Sequence, residues 1–143
     1  IVVKIAVIDG LGGGLGSQII ENLKRELGNS VEIIALGINS GATSNMLAAG
    51  AHRGATGENA IRVTTKEVDV VVGPLGIIIP NSMMGEVTAV IVEAVADSPA
   101  KKILLCINQP HIELIGIKNQ PLARSIKELI ERIVRLQCPP PTI

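Results

Sequence analysis

The chain has 143 residues, 13 Lys+Arg against 13 Asp+Glu, 15 glycines, and no Phe, Tyr or Trp. Without tyrosine there is no catalytic phenol, and without any aromatic ring there is no stacking platform for single-stranded nucleic acid, flavin or nicotinamide. The balanced charge removes the electrostatic footprint of a protein that grips nucleic acid or an anionic membrane surface, so neither is an expected partner.

The length and the 47% hydrophobic content suit a single nucleotide-binding domain over residues 1–137, followed by an extended Pro-rich tail at 138–143. Cys106 and Cys138 are too few and too far apart for a metal knuckle or a disulfide framework, so no metal site is expected from them and a reduced cytoplasm is the expected compartment. The chain opens at Ile1 rather than Met, as one lacking a few N-terminal residues would. Apolar runs such as Val70 to Val72 and Ile77 to Ile79 are broken by Gly73, Pro74, Gly76 and Pro80, well short of the ~20 residues of a bilayer span.

In chain order, residues 2–8 form a nearly continuous apolar, β-branched run, the pattern of a strand buried on both faces of a parallel sheet. From Gly14 the period changes: Leu15, Ile19, Leu23 and Leu27 recur every four residues and predict an amphipathic helix, stopped by Gly28 and Asn29. Val31 to Leu36 reads as a second strand, which completes a right-handed βαβ unit. A helix is predicted over 43–49, then a glycine-broken loop at 54–57, a short third strand at Ala60 to Val63, and a fourth at Val68 to Gly73. Only Thr64 to Glu67 separate these last two strands, fewer residues than a parallel crossover normally takes. Asn81 or Ser82 is expected to cap a helix reaching about Ala96, with Glu86 in its first turns. Its nearly all-round apolar character, together with Ile77 to Ile79, points to burial against a partner subunit and so to a homodimer or higher homo-oligomer. Ile103 to Ile107 reads as the fifth strand, and a short break at Asn108 to His111 predicts a hairpin into an antiparallel sixth strand, Ile112 to Ile117. Pro121 opens a last helix with Leu122, Ile126, Leu129, Ile133 and Leu136 on one stripe. The whole predicts a doubly wound, Rossmann-like α/β fold with strand order 3-2-1-4-5-6 and an antiparallel edge strand.

The chemistry concentrates between the first strand and the first helix, in Asp9-Gly10-Leu11-Gly12-Gly13-Gly14-Leu15-Gly16-Ser17. Glycines there let the chain turn tightly, bring amides close to a phosphate, and pack the helix near the strand. The strict G-x-G-x-x-G spacing fails at Leu15, whereas Gly10, Gly14 and Gly16 satisfy G-x-x-x-G-x-G, which resembles the short-chain dehydrogenase fingerprint. The likeness stops there, because a Tyr-x-x-x-Lys catalytic pair cannot exist in a chain without tyrosine. A phosphate-binding P-loop is also excluded, since no lysine separates Gly16 from Ser17. The fingerprint suggests NAD or NADP as cofactor without choosing between them: the acid expected at the end of the second strand is missing, and only Asn39 and Ser40 stand there. Asp9 would repel a pyrophosphate unless it points away, caps the helix turn, or shares a Mg²⁺.

The blocks IAVIDG-LGGGLG at 5–16, ALGINSGATSNMLAAGA at 35–51, GATGENAI at 54–61 and VVGPLGIIIPNSMMGEVT at 71–88 resemble a family of small, uncharacterised bacterial proteins of Clostridia-type organisms, a domain of unknown function. That resemblance implies a Rossmann-like fold and assigns no activity.

Ligands of open α/β sheets sit outside the carboxyl ends of the strands, where strand order reverses. That edge is expected to collect the glycine loop, Asn39 and Ser40, Gly73 and Pro74, and His111. The binding set is therefore Gly10, Gly12, Gly13, Gly14, Leu15, Gly16, Ser17, Asn39, Ser40, Gly73 and Pro74. Asp9 and His111 are the weaker candidates for acid/base chemistry, while Cys106 reads as core packing within its strand. The expected ligand is a nucleotide or phosphorylated metabolite, held by a sensor or accessory subunit. The alternatives are a small enzyme acting on a phosphorylated or carbonyl metabolite, and a structural oligomer without ligand.

Overall fold

The protein was analysed as a computed structural model, which describes residues 2–107 and 109–137. The continuous apolar run at the N-terminus forms β1 (Val3–Asp9), and the fourfold stripe after it forms α1 (Gly14–Leu27). They are followed by β2 (Val31–Gly37), α2 (Ser40–Ala48), β3 (Arg53–Thr56), α3 (Glu58–Thr64), β4 (Val70–Pro74), α4 (Ala89–Asp97), β5 (Lys101–Leu105) and α5 (Leu122–Gln137). The strands make one five-stranded, all-parallel sheet of order β3-β2-β1-β4-β5, doubly wound and Rossmann-like.

Alternate residues of β1 feed two cores, which explains why its sequence is apolar throughout Ile5 to Ile8. Ile5 and Val7 pack with Ile19, Leu23, Met46, Leu129 and Ile133 of α1, α2 and α5. Ala6 and Ile8 pack on the other face with Ile61, Ile91 and Val95 of α3 and α4. The chain changes face between β3 and β4, so the first loops of the two halves diverge above β1 and β4 and leave the crevice that positions the site.

Five expectations are corrected. The third strand is Arg53–Thr56, and Ala60 to Val63 belong to α3 instead. Glu58 in the first turn and Arg62 in the last favour the helix, and Ile61 drives it onto the sheet. Residues 57–69 now connect β3 to β4, which resolves the overly short crossover. The helix expected from Asn81 or Ser82 starts only at Ala89: Thr88 is its N-cap, with the side-chain oxygen accepting from the Ile91 amide at 3.2 Å. The sixth strand is absent among the described residues. Strand alternation in Ile112-Glu113-Leu114-Ile115-Gly116-Ile117 fails at Ile115, and Gly116 takes φ +91, which an extended strand cannot accommodate, so no strand pairs with the outer edge of β5 among the described residues. Finally, Ile77 is fully buried within its own chain and is not available to a partner. Cys106 lies just beyond β5 and is exposed, not packed in the core. The expected tail at 138–143 and Asn108 of the expected hairpin lie outside the described residues.

No helix among the described residues is long and apolar enough to cross a membrane, and no group of three or more His, Cys, Asp or Glu side chains is placed to hold a metal ion.

Candidate functional site at the glycine loop

The site is built on Asp9, the last residue of β1. Its carboxylate is buried, with Oδ1 accepting from the Gly10 amide and Oδ2 from the Gly16 amide, both at 2.8 Å. Asp9 therefore caps the first turn of α1 from seven residues away, a role the actual N-cap residue, Gly13, cannot perform without a side chain. Burial pushes the Asp9 carboxyl above the usual carboxylate range. The Gly16 and Gly10 amides pull it back, and the charge of Glu86 adds to the rise.

The glycines have distinct reasons to be glycine. Gly13 sits at φ +71, and a Cβ there would lie 2.9 Å from the α2 backbone at Ala42. A Cβ on Gly16 would lie 2.5 Å from the Met46 sulfur and 3.0 Å from Asp9, so α1 can approach β1 and α2 only without one. Gly12 and Gly14 meet nothing within 4 Å, and the space above them is open. Among the described residues the amides of Gly12, Gly14 and Leu15 have no acceptor, and neither does the buried Ser17 hydroxyl. Those amides surround the positive end of a 14-residue helix.

Two asparagines clamp the loop. Asn39, the N-cap of α2, accepts from the Ala42 amide at 2.8 Å and donates through Nδ2 to the Leu11 carbonyl at 2.9 Å. Asn45 donates to the Gly12 carbonyl at 2.8 Å. Drawing both carbonyls toward α2 fixes the loop peptides in one orientation.

Glu86 was not among the residues expected to build the site. Its Oε1 accepts from the Leu11 amide at 2.5 Å and its Oε2 from Asn39 Nδ2 at 2.7 Å. It arrives on the 79–88 segment, where Asn81, Met83 and Met84 adopt φ +70, +56 and +57, a left-handed conformation that non-glycine residues avoid. Glu86 and Met83 lie directly over Gly10, which has no room for a side chain: a Cβ there would stand 2.6 Å from Oε1 and 2.8 Å from the Met83 sulfur. The signal in the sequence was Thr88 ahead of a continuous apolar run, an N-cap pattern that leaves Gly85-Glu86 outside the helix.

The other expected residues are more scattered. Gly73 and Pro74 end β4 and are buried; a Cβ on Gly73 would meet the Ile8 carbonyl at 2.5 Å, so its glycine serves strand packing. Ser40 is exposed in the first turn of α2. His111 is exposed beyond β5 and makes no side-chain hydrogen bond with the glycine loop among the described residues. A groove of about 840 Å³ lies elsewhere, between β5 and α5, with Ile103, Leu105, Leu122 and Leu129 in its lining and solvent along its open side.

No curated protein matches the chain. Seven chains of solved structure do, among them one described as the crystal structure of a universal stress protein in complex with cAMP, at 17% identity and a TM-score of 0.41 over 73% of this chain and 98% of that one. A family model matches residues 4–137. The chain belongs to the family described as a domain of unknown function, DUF3842.

Proposed function

We propose that the protein binds a nucleotide or dinucleotide through phosphate at the glycine loop and acts as a sensor or accessory subunit. One observation carries this reading: the amides of Gly12, Gly14 and Leu15 have no acceptor among the described residues, and the space over Gly12 and Gly14 is open at the N-terminus of α1, in the crevice where the fold reverses direction. The buried Ser17 hydroxyl adds a further donor in that first turn. NAD and NADP both remain within the proposed ligand class. Acid/base catalysis by Asp9 has less support, because backbone amides already engage both of its oxygens, and Mg²⁺ binding there is weakened for the same reason. Homo-oligomer formation belongs to the same proposal. It is supported by the outer edge of β5, which no strand among the described residues covers, and by the exposed Leu114, Ile115 and Ile117 that follow it.

With no Trp or Tyr, the purified protein is nearly dark at 280 nm, so a co-purified nucleotide is visible directly in its ultraviolet spectrum. The decisive variant is Gly14→Val, whose Cβ enters open space with nothing within 4 Å of it outside its own turn of helix. It should fold, with an unchanged circular dichroism spectrum, and bind NAD or AMP at least about tenfold more weakly in calorimetric titration, a loss of roughly 1.4 kcal/mol. Unchanged affinity in the folded variant would remove the glycine loop as the site.

A further inference from the structure

The Rossmann pattern places an acid at the end of the second strand to accept hydrogen bonds from a ribose diol. This chain has Gly37, Ile38 and Asn39 there, with no carboxylate. The structure brings one to that place from another loop. Glu86 Oε2 lies 2.7 Å from Asn39 Nδ2, and Asn39 stands two residues beyond the last residue of β2. From the geometry we infer that Glu86, fixed by Asn39 and the Leu11 amide, is the ribose-reading residue of this site and selects nucleotides with a free 2′,3′-diol and a single phosphate at the glycine loop. This inference rests on the nucleotide reading above.

Three observations support it. A carboxylate offers about four acceptor positions and Glu86 uses two, both to groups of the loop and of the β2 end, so acceptors remain for two hydroxyls. The two donors hold each oxygen separately, which fixes the plane of the carboxylate before any ligand arrives. The charge around the crevice has one sign: residues 9–13, 37–39, 57–58 and 75–88 contain Asp9, Glu58 and Glu86 but no Lys or Arg. A 2′-phosphate would meet Glu86 with no cation to offset it, and a triphosphate would need more countercharge than the amides of one helix terminus supply. The selected class is a ribonucleoside 5′-monophosphate or a 2′-unphosphorylated dinucleotide.

The test is calorimetric titration of the full chain with AMP, 2′-deoxy-AMP and adenosine 2′,5′-bisphosphate, each against wild type and Glu86→Gln. Wild type should bind AMP, lose about tenfold on 2′-deoxy-AMP because a hydroxyl bonded to a charged acceptor is lost, and lose more on the bisphosphate. Glu86→Gln should bind AMP more weakly and shrink the bisphosphate penalty. Equal affinity of wild type for AMP and 2′-deoxy-AMP would overturn the inference, whether or not the variant folds, and would leave the glycine-loop site standing. A uniform gain by Glu86→Gln on all three ligands would also overturn it, showing the carboxylate to be an obstruction. No binding of any of the three, nor of NAD, by wild type would end both this inference and the nucleotide reading.

Discussion

Asp9 shows how one side chain can make a loop possible and still carry a liability. It accepts from both the Gly10 and Gly16 amides, yet burial raises its pKa above the usual carboxylate range. Between the unfolded and folded values, the folded chain holds a proton that the unfolded chain has released. Stability from this group is therefore greatest at low pH and falls as pH rises through the folded pKa. Asp9→Asn does not titrate, and its amide would face one N–H with another donor, at a cost of about 1–3 kcal/mol. Urea denaturation from pH 4 to 8 should show the stability advantage of wild type over Asp9→Asn shrinking as pH rises. An advantage that grew with pH would mean that the amides outweigh burial. The glycine spacing makes this loop legible in the sequence, and the capping of the helix by Asp9 was one of three options open to it. Glu86 was not legible as a site residue. Its contacts with Leu11 and Asn39 span 75 and 47 residues of sequence, and no local pattern reports contacts of that range.

At the scale of elements, the segments that followed their expected pattern were those whose burial repeats a simple period, β1 and β2 on both faces and α1 and α5 along one stripe. The reading failed where competing patterns were short. Ala60 to Val63 is β-branched enough for a strand, but β3 already pairs with β2 through Arg53 to Thr56, and the ion pair of Arg53 with Glu32 at 2.7 Å spans those two strands. The start of α4 depends on Thr88, whose hydroxyl also donates to Glu58 at 2.7 Å and so ties α4 to α3. Thr88→Ala should lower stability by about 1 kcal/mol, seen as a fall of a few degrees in Tm, while Thr88→Ser should restore most of it. No change in Tm would mean that α4 is held by packing of Ile91 and Val95 alone.

Over the whole molecule, the sheet has two unlike edges. Arg53 and Glu32 mark the β3 side, whereas among the described residues no further strand pairs with β5, and Ile115, which follows it in sequence, is 96% exposed. The expected sixth strand would have covered that edge. If a second copy does so instead, sedimentation velocity should show a species larger than 14.9 kDa that dissociates on dilution, and Ile115→Glu should shift it toward the monomer. A monomer at all concentrations would remove the homo-oligomer from the proposal.

The absence of aromatics, the continuous apolar strands and the placement of the glycine loop were determined by the sequence, because each is a matter of composition or of a local period set by backbone geometry. The meeting of Glu86, Asn39 and Leu11, the path of 79–88 over Gly10, and the open edge of β5 were decided only by the tertiary structure. They depend on how strand order folds distant segments onto one crevice, and contacts of that kind leave no period for a local reading to find.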